Sequence, residues 1–208
     1  MNKRKSLVKL HAYVSSDGII DNWKSKDIHG RVLRIRNYLR TRFYNNEEKI
    51  LKDFIKTFKK VYPSRSVHFY SRRFEIEVRS QIFAKDLLRL GEVSSKNWTV
   101  PKGMKEEEKS VWIRAFADCD GTVYCKNYNY YVAIDSINFN GLKEVSNILK
   151  EFGIKNRIIP VRYKEKVSYR LKISNKENLI KYFNEVGFLH PKKQKKLVEI
   201  VNKGKQKI

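Results

Sequence analysis

A nine-residue phrase closing on Asp-Gly occurs twice in this chain, 103 positions apart. Leu10-His11-Ala12-Tyr13-Val14-Ser15-Ser16-Asp17-Gly18 aligns with Ile113-Arg114-Ala115-Phe116-Ala117-Asp118-Cys119-Asp120-Gly121 without a gap. A repeat at that spacing limits the chain to architectures built from two similar halves. As helices, the copies place Ala12 and Ser16, and likewise Ala115 and Cys119, one turn apart on one face, where small side chains let two helices approach closely. Gly18 and Gly121 then read as the residues just past the helix ends. Asp17 and Asp120 fall at helix C-termini, where the macrodipole disfavours negative charge, so a cationic group is expected to compensate. Packed side by side, the helices would bring two hard oxygen ligands together, which suits Mg2+ or Mn2+.

The stretches between the phrases follow one order in both halves. Strands are expected at 19–26 and 31–43, a helix at 45–61 with Asn46 as its cap and Pro63 beyond its end, strands at 66–72 and 73–80, and a short helix at 81–90 stopped by Gly91. The second half repeats this with strands at 124–131 and 132–138, a helix at 141–152, strands at 157–163 and 168–174, and a helix at 176–186. The fold class expected is α+β, as tandem αββαββα halves. Residues 1–100 form the first half, 101–104 the linker and 105–208 the second half. Glu106, Glu107 and Glu108 suit the first turn of the second repeated helix.

Charge indicates the partner. The 46 Lys and Arg residues against 22 Asp and Glu give a formal charge of +24, far beyond what solubility requires, and point to a polyanion. Hydrophobic residues make up 41% of the chain, enough for a packed core, which argues against disorder. No apolar run approaches the ~18 residues of a membrane span and the basic N-terminus lacks an apolar signal core, so an intracellular protein is expected. Cys119 and Cys125 are too few for a disulfide framework, and the four histidines show no ligand spacing.

Two such phrases, each opening an αββαββ pattern in a basic chain, make the sequence resemble a single-chain LAGLIDADG homing endonuclease, with the second phrase the closer to the family pattern. The resemblance implies a pseudo-twofold saddle of two antiparallel four-stranded sheets over DNA, with the repeated helices as the seam. It also implies a monomer, Asp17 and Asp120 as metal-ligating catalytic residues, Mg2+ or Mn2+ as cofactor, and metal-dependent cleavage of both strands of a long non-palindromic duplex with 3′ overhangs. Promotion of homing of its own intron or intein is implied as well. The alternatives are an intron-encoded maturase with intron RNA as partner and a catalytically inactive DNA-binding derivative.

The family also places a basic residue near each active centre, in the stretch leaving the last short helix. That nominates Lys96 in the first half and Lys192 or Lys193 in the second. Sequence reading falls to alternating strands: Arg34, Arg36, Tyr38, Arg40 and Arg42 in the first half, and Tyr124, Lys126, Tyr128 and Tyr130 in the second. Arg79, Arg170 and Lys172 on the later strands complete the expected DNA face. Arg42 and Asn138, closing the second strand of each half, are placed to contact DNA or order solvent. Asp118, matched by Ser15, is read as structural.

Overall fold

The computed structural model describes residues 2–29, 32–126, 129–164 and 166–202. Helix α1 (Lys3–Asp17) runs into strands β1 (Gly18–His29) and β2 (Val32–Tyr44), helix α2 (Glu48–Val61), strands β3 (His68–Tyr70) and β4 (Glu75–Val78), and helix α3 (Gln81–Leu90). The order then repeats as α4 (Glu106–Asp120), β5 (Gly121–Lys126), β6 (Asn129–Ser136), α5 (Phe139–Glu151), β7 (Arg157–Tyr163), β8 (Lys166–Ser174) and α6 (Lys176–Glu185), followed by α7 (Pro191–Asn202). Each half carries one antiparallel four-stranded sheet, ordered β1-β2-β4-β3 and β5-β6-β8-β7. The α+β class with two such sheets is therefore as the sequence implied.

Helices α1 and α4 form the seam and run in the same direction. At their N-terminal ends Arg4 pairs with Glu108 at 3.4 Å and Lys5 with Glu107 at 2.6 Å. Midway, the Trp112 indole N–H donates to His11 Nδ1 at 3.2 Å, and Ala12 and Ala115 are fully buried. His11 is thereby held neutral, its second nitrogen donating to the Gly91 carbonyl, and burial pushes its pKa down to about 4.

The two motif glycines are needed for a reason the sequence did not disclose. Gly18 and Gly121 are extended, with φ of −124° and −82°, so neither is a left-handed helix cap. Each helix turns directly into the first strand of its sheet, and the glycine backbone passes over the preceding turn. A Cβ on Gly18 would lie 2.6 Å from Val14 Cα, and one on Gly121 2.3 Å from the Ala117 carbonyl oxygen.

Behind the first sheet, α2 inserts Ile50, Leu51, Phe54 and Phe58, and the Phe43 and Phe54 rings stack at 4.8 Å. Behind the second, Trp98, Trp112 and Phe116 form a contiguous aromatic cluster.

Several expected boundaries shift. The helix expected over 45–61, α2, begins at Glu48, and Asn46 does not cap it; the cap position is Glu47, whose N–H is taken by the Asn45 side chain at 2.9 Å. The strand expected over 73–80 starts only at Glu75, because Ser71–Arg73 form a 3-10 turn that ends on Phe74 in the left-handed region at φ 49°. The strand expected over 132–138 starts at Asn129, and Asn138 lies beyond it as the cap of α5. The amphipathic helix α7 was not anticipated.

Candidate active centre and nucleic-acid face

The seam brings the last residues of α1 and α4 together, with Asp17 close enough for its charge to act on Asp120. Burial and the Asp17 charge push the Asp120 carboxyl up to about 7. Burial also raises Asp17, against hydrogen bonds from Asn45 and Cys119 that lower it. Asn45 Nδ2 donates to Asp17 Oδ2 at 3.0 Å and approaches Cys119 Sγ at 3.6 Å. Two half-buried carboxylates, one raised by the charge of the other, concentrate negative charge at the seam, and their hard oxygens fit Mg2+ or Mn2+. Among the described residues no group of three or more His, Cys, Asp or Glu could hold a metal ion.

The cation expected at the helix end is Lys193, supplied by α7. Its Nζ donates to the carbonyls of Ala117, Asp118 and Cys119 at 3.1, 2.6 and 3.0 Å, closing the C-terminus of α4. Burial lowers its pKa while Cys119, Asp118, Asp120 and Asp17 act to raise it. Asp118 anchors the chain that delivers this lysine: its Oδ1 accepts from the N–H groups of Leu189 and His190, each at 2.9 Å. Burial pushes Asp118 up to about 6. An open cleft of about 350 Å³ is lined by Asp17, Asn45, Asp118, Cys119, Lys192 and Lys193 among others. Lys192 stands exposed at its rim, whereas Lys96 is exposed elsewhere and does not line it. The geometry thus favours Lys193 over the other two lysines named from the sequence.

On the first sheet, Tyr38, Arg40 and Arg42 share the face opposite the core residues Thr41 and Phe43, as their alternation implied. This face also carries acids. Arg40 makes a two-point pair with Asp21, Nε to Oδ1 at 3.0 Å and Nη2 to Oδ2 at 2.8 Å, and its Nη1 reaches Glu77 at 3.1 Å. Arg42 donates to Asp21 at 2.6 Å, and Arg79 donates to Glu77 at 2.6 Å while lying 4.8 Å over the Trp23 ring. The basic stripe is therefore a network of paired charges. The side chains of Arg34 and Arg36 lie outside the described residues.

On the second sheet, Tyr124 stacks on Tyr131 at 4.9 Å, Lys172 sits 4.2 Å above Tyr131, and Arg170 makes a two-point pair with Asp135 at 2.8 and 2.8 Å. Lys126 shares the face of Tyr124. Tyr130 does not: it pairs with Cys125 on the face of Val123 and Val132 and packs against the core, because the chain reverses between Tyr124 and Tyr130 and resets the alternation. Tyr128 lies outside the described residues. Asn138 is buried, accepts from the Gly141 N–H at 3.0 Å and donates to the Trp98 carbonyl at 2.7 Å, so it is spent on the fold and is withdrawn from the DNA face.

The sequence reading missed Asn45, the positioning role of α7, and the acids Asp21, Glu75 and Glu77. The one signal for Asn45 was its place between a strand and a helix; the acids could have been found only through the strand register.

Duplicated helices packed along a seam, an acid at each C-terminus and a four-stranded sheet leading out of each define the LAGLIDADG class. Residues 107–187 match the LAGLIDADG-like domain family. The second half of the chain thus carries a LAGLIDADG-like domain, and the first half repeats its order of elements. The fold is similar to that of the homing endonuclease I-DmoI in complex with DNA and Ca, at a TM-score of 0.64 and 19% identity over 89% of this chain and 91% of that one. It is also similar to full-length DUF199/WhiA from Thermatoga maritima, at 0.63 and 15% identity over 100% of this chain and 62% of that one. Among curated proteins, the Replication factor C small subunit of Methanocaldococcus jannaschii is 27% identical over 78% of this chain and 8% of its own length. The tRNA-splicing ligase RtcB of Pyrococcus furiosus is 28% identical over 58% of this chain and 14% of its own length. The homing endonuclease I-ApeI of Aeropyrum pernix is 24% identical over 51% and 48%. The chain thus spans less than half the length of each of these curated relatives.

Proposed function

We propose that this protein is a site-specific DNA endonuclease that cuts both strands of a long, non-palindromic duplex with a divalent metal, leaving 3′ overhangs. The observation that carries the reading is the juxtaposition of Asp17 and Asp120 at adjoining helix ends, each raised by burial and Asp120 further by its neighbour. Such a pair costs stability while empty of cations, and a metal-binding role gives it a reason to exist. Solved structures of similar fold include I-DmoI in complex with DNA and Mn, which supports Mg2+ or Mn2+ as cofactor.

When bound, the metal would activate water and stabilise the leaving oxygen. Asp17 and Asp120 would hold it, and Asn45 fixes the Asp17 carboxylate in orientation. Lys193 sets a positive charge beside both acids, where it offsets their repulsion and faces a cleft open to a phosphate. The two sheets differ, one bearing arginines and the other stacked tyrosines, so each would meet a different half-site and a monomer would read an asymmetric target. Tyr38, Arg42, Arg79, Tyr124, Lys126, Arg170 and Lys172 are the described side chains we assign to that contact.

Recurrence of similar segments within proteins of unrelated names, at 8% and 14% of their lengths, supports an element that inserts into host genes inside the cell and promotes its own homing. Likeness to DUF199/WhiA favours a second reading, DNA binding without cleavage. Incubation with a randomised duplex library in Mg2+ separates the two. Cleaved sites with 3′ overhangs that vanish with chelator and in both Asp17→Asn and Asp120→Asn support the nuclease; enrichment of bound but uncut sites supports the second reading.

A further inference from the structure

One acid on the face assigned to DNA holds two arginines at once. Asp21 on β1 lies directly opposite Arg40 on β2. Its oxygens accept from Arg40 Nε at 3.0 Å and Nη2 at 2.8 Å, and Oδ2 also accepts from Arg42 Nη2 at 2.6 Å. The remaining Arg40 nitrogen is engaged by Glu77, which also accepts from Arg79. Hydrogen bonding from Arg40 holds the Asp21 carboxyl below its usual range, so the acid is charged at neutral pH. The side chains of Arg40, Asp21 and Arg42 are 20%, 24% and 26% exposed, so water and salt screen these pairs less than a surface ion pair. The second sheet repeats the arrangement: Asp135 on β6 lies opposite Arg170 on β8 and takes its guanidinium in the same two-point manner.

Acids in those places weaken any grip made by charge alone. With a formal charge of +24 the chain has cations enough to hold a duplex of any sequence, and every free arginine on this face would tighten that indiscriminate binding. We propose that Asp21, and Asp135 in the second half, are specificity-determining residues. Each occupies arginines so that they do not bind phosphate on a random duplex, and gives one up only where further contacts offset the opened pair. Opening a pair also sets a bare carboxylate against the DNA, a repulsion that penalises every sequence lacking those contacts. In the first half Arg42 is the arginine given up: Asp21 holds it through Nη2 alone, and its Nε has no hydrogen-bond partner among the described residues, whereas Arg40 is held through all three nitrogens. The inference rests on the reading of the two sheets as the DNA surface.

The test is fluorescence anisotropy in chelator with a duplex pool of random sequence, titrated over a series of salt concentrations. Asp21→Asn should bind the pool about tenfold more tightly, with a slope of log K against log salt steeper by about 1 to 2, since each added phosphate contact contributes about 0.9. Selection from the same pool should give it a flatter base preference than the wild type. Asp21→Glu keeps the charge and should stay near the wild type. Glu106→Gln removes one negative charge at the opposite end of α4 from Asp120 and should change affinity by less than about twofold. Wild-type slope and affinity in Asp21→Asn, with or without a lowered Tm, would mark the acid as merely structural and overturn the proposal. An equal gain in Glu106→Gln would reduce the effect to net charge and overturn it as well. Should Asp21→Asn fail to fold, Asp135→Asn decides the matter, with a slope steeper by about 1 expected and an unchanged slope overturning the proposal. Failure of the wild type to bind the pool would instead overturn the functional reading on which the proposal rests.

Discussion

Asn45 Nδ2 donates to Asp17 Oδ2 at 3.0 Å, tying an acid at the end of one helix to the end of the second strand of its sheet. The Asn45 main chain is held in turn by the Phe74 carbonyl, and its Oδ1 accepts from the Glu47 N–H. One small amide thus fixes the Asp17 carboxylate relative to the sheet that would carry DNA. Among the described residues of the second half no asparagine is in the same role, since Asn138 is buried in the core. There the ends of β6 and α4 are governed by Trp98 and Lys193 respectively.

Asn45→Ala should therefore lower the cleavage rate by roughly 10- to 100-fold and raise the Mg2+ concentration needed for half-maximal rate, as loss of a partner that orients a metal ligand does. Duplex affinity in chelator should stay within about twofold, because the Asn45 amide is taken up by Asp17 and the Glu47 N–H. Titrating Mg2+ at saturating DNA reads both effects; an unchanged metal requirement would remove Asn45 from the site.

The paired acids make the metal-free protein sensitive to alkali. Asp120 has a folded pKa of about 7 against 3.8 for the free carboxyl, so the folded state holds a proton that the unfolded state has released. Stability is therefore greatest at the acidic end of this window and falls as pH rises through about 7. Thermal melts in chelator should show a lower Tm at pH 8 than at pH 6.5, a loss reduced in Asp120→Asn and offset by added Mg2+. An Asp120→Asn protein with the same pH profile as the wild type would contradict the electrostatic account.

His11 works in the opposite sense at lower pH. Its folded pKa of about 4 lies below its free value of 6.5, so the unfolded state takes up a proton first and stability is lost as pH falls through that interval. By pH 5 the loss should approach about 2 kcal/mol, taking 1.36 kcal/mol per pH unit. Comparing urea unfolding of wild type and His11→Gln at pH 7 and pH 5 isolates it; equal slopes in the two proteins would exclude His11 as the source.

Arg40 should behave as a structural residue more than as a reader of bases. All three of its guanidinium nitrogens are engaged by Asp21 and Glu77, and the Glu77 side chain is only 4% exposed. Arg40→Ala leaves that buried carboxylate with one cation fewer and should cost about 1–3 kcal/mol. The checks are a lowered Tm and a binding-site selection in which base preference changes less than it does for Arg79→Ala. A stable Arg40→Ala protein with relaxed preference at one or two base pairs would restore the direct-contact role read from its alternation.

Gly121→Ala should be among the most damaging small substitutions, because the new Cβ would meet the Ala117 carbonyl oxygen at 2.3 Å and drive the helix end away from its strand. Loss of soluble protein or a large drop in Tm is expected; a wild-type melt would mean that the helix end gives way freely.

The sequence by itself determined the duplication, the two seam helices, the pair of acids at their ends and the α+β repeat, because these reside in local patterns: helical spacing of small residues, strand alternation and helix-ending glycines. It also carried the total charge, and with it the expectation of a polyanionic partner. Which lysine reaches the acids was decided by the docking of α7 through Asp118, a contact spanning 71 positions. Which arginines are free was decided by strand register, which set Asp21, Glu75 and Glu77 on the basic face, and the reversal between β5 and β6 sent Tyr130 to the core. The glycines were legible as helix ends, but the close backbone passage that requires them was not. Local pattern fixes what an element is; which side chains meet depends on packing between residues far apart in the chain, where a one-residue change of register exchanges the buried and exposed faces.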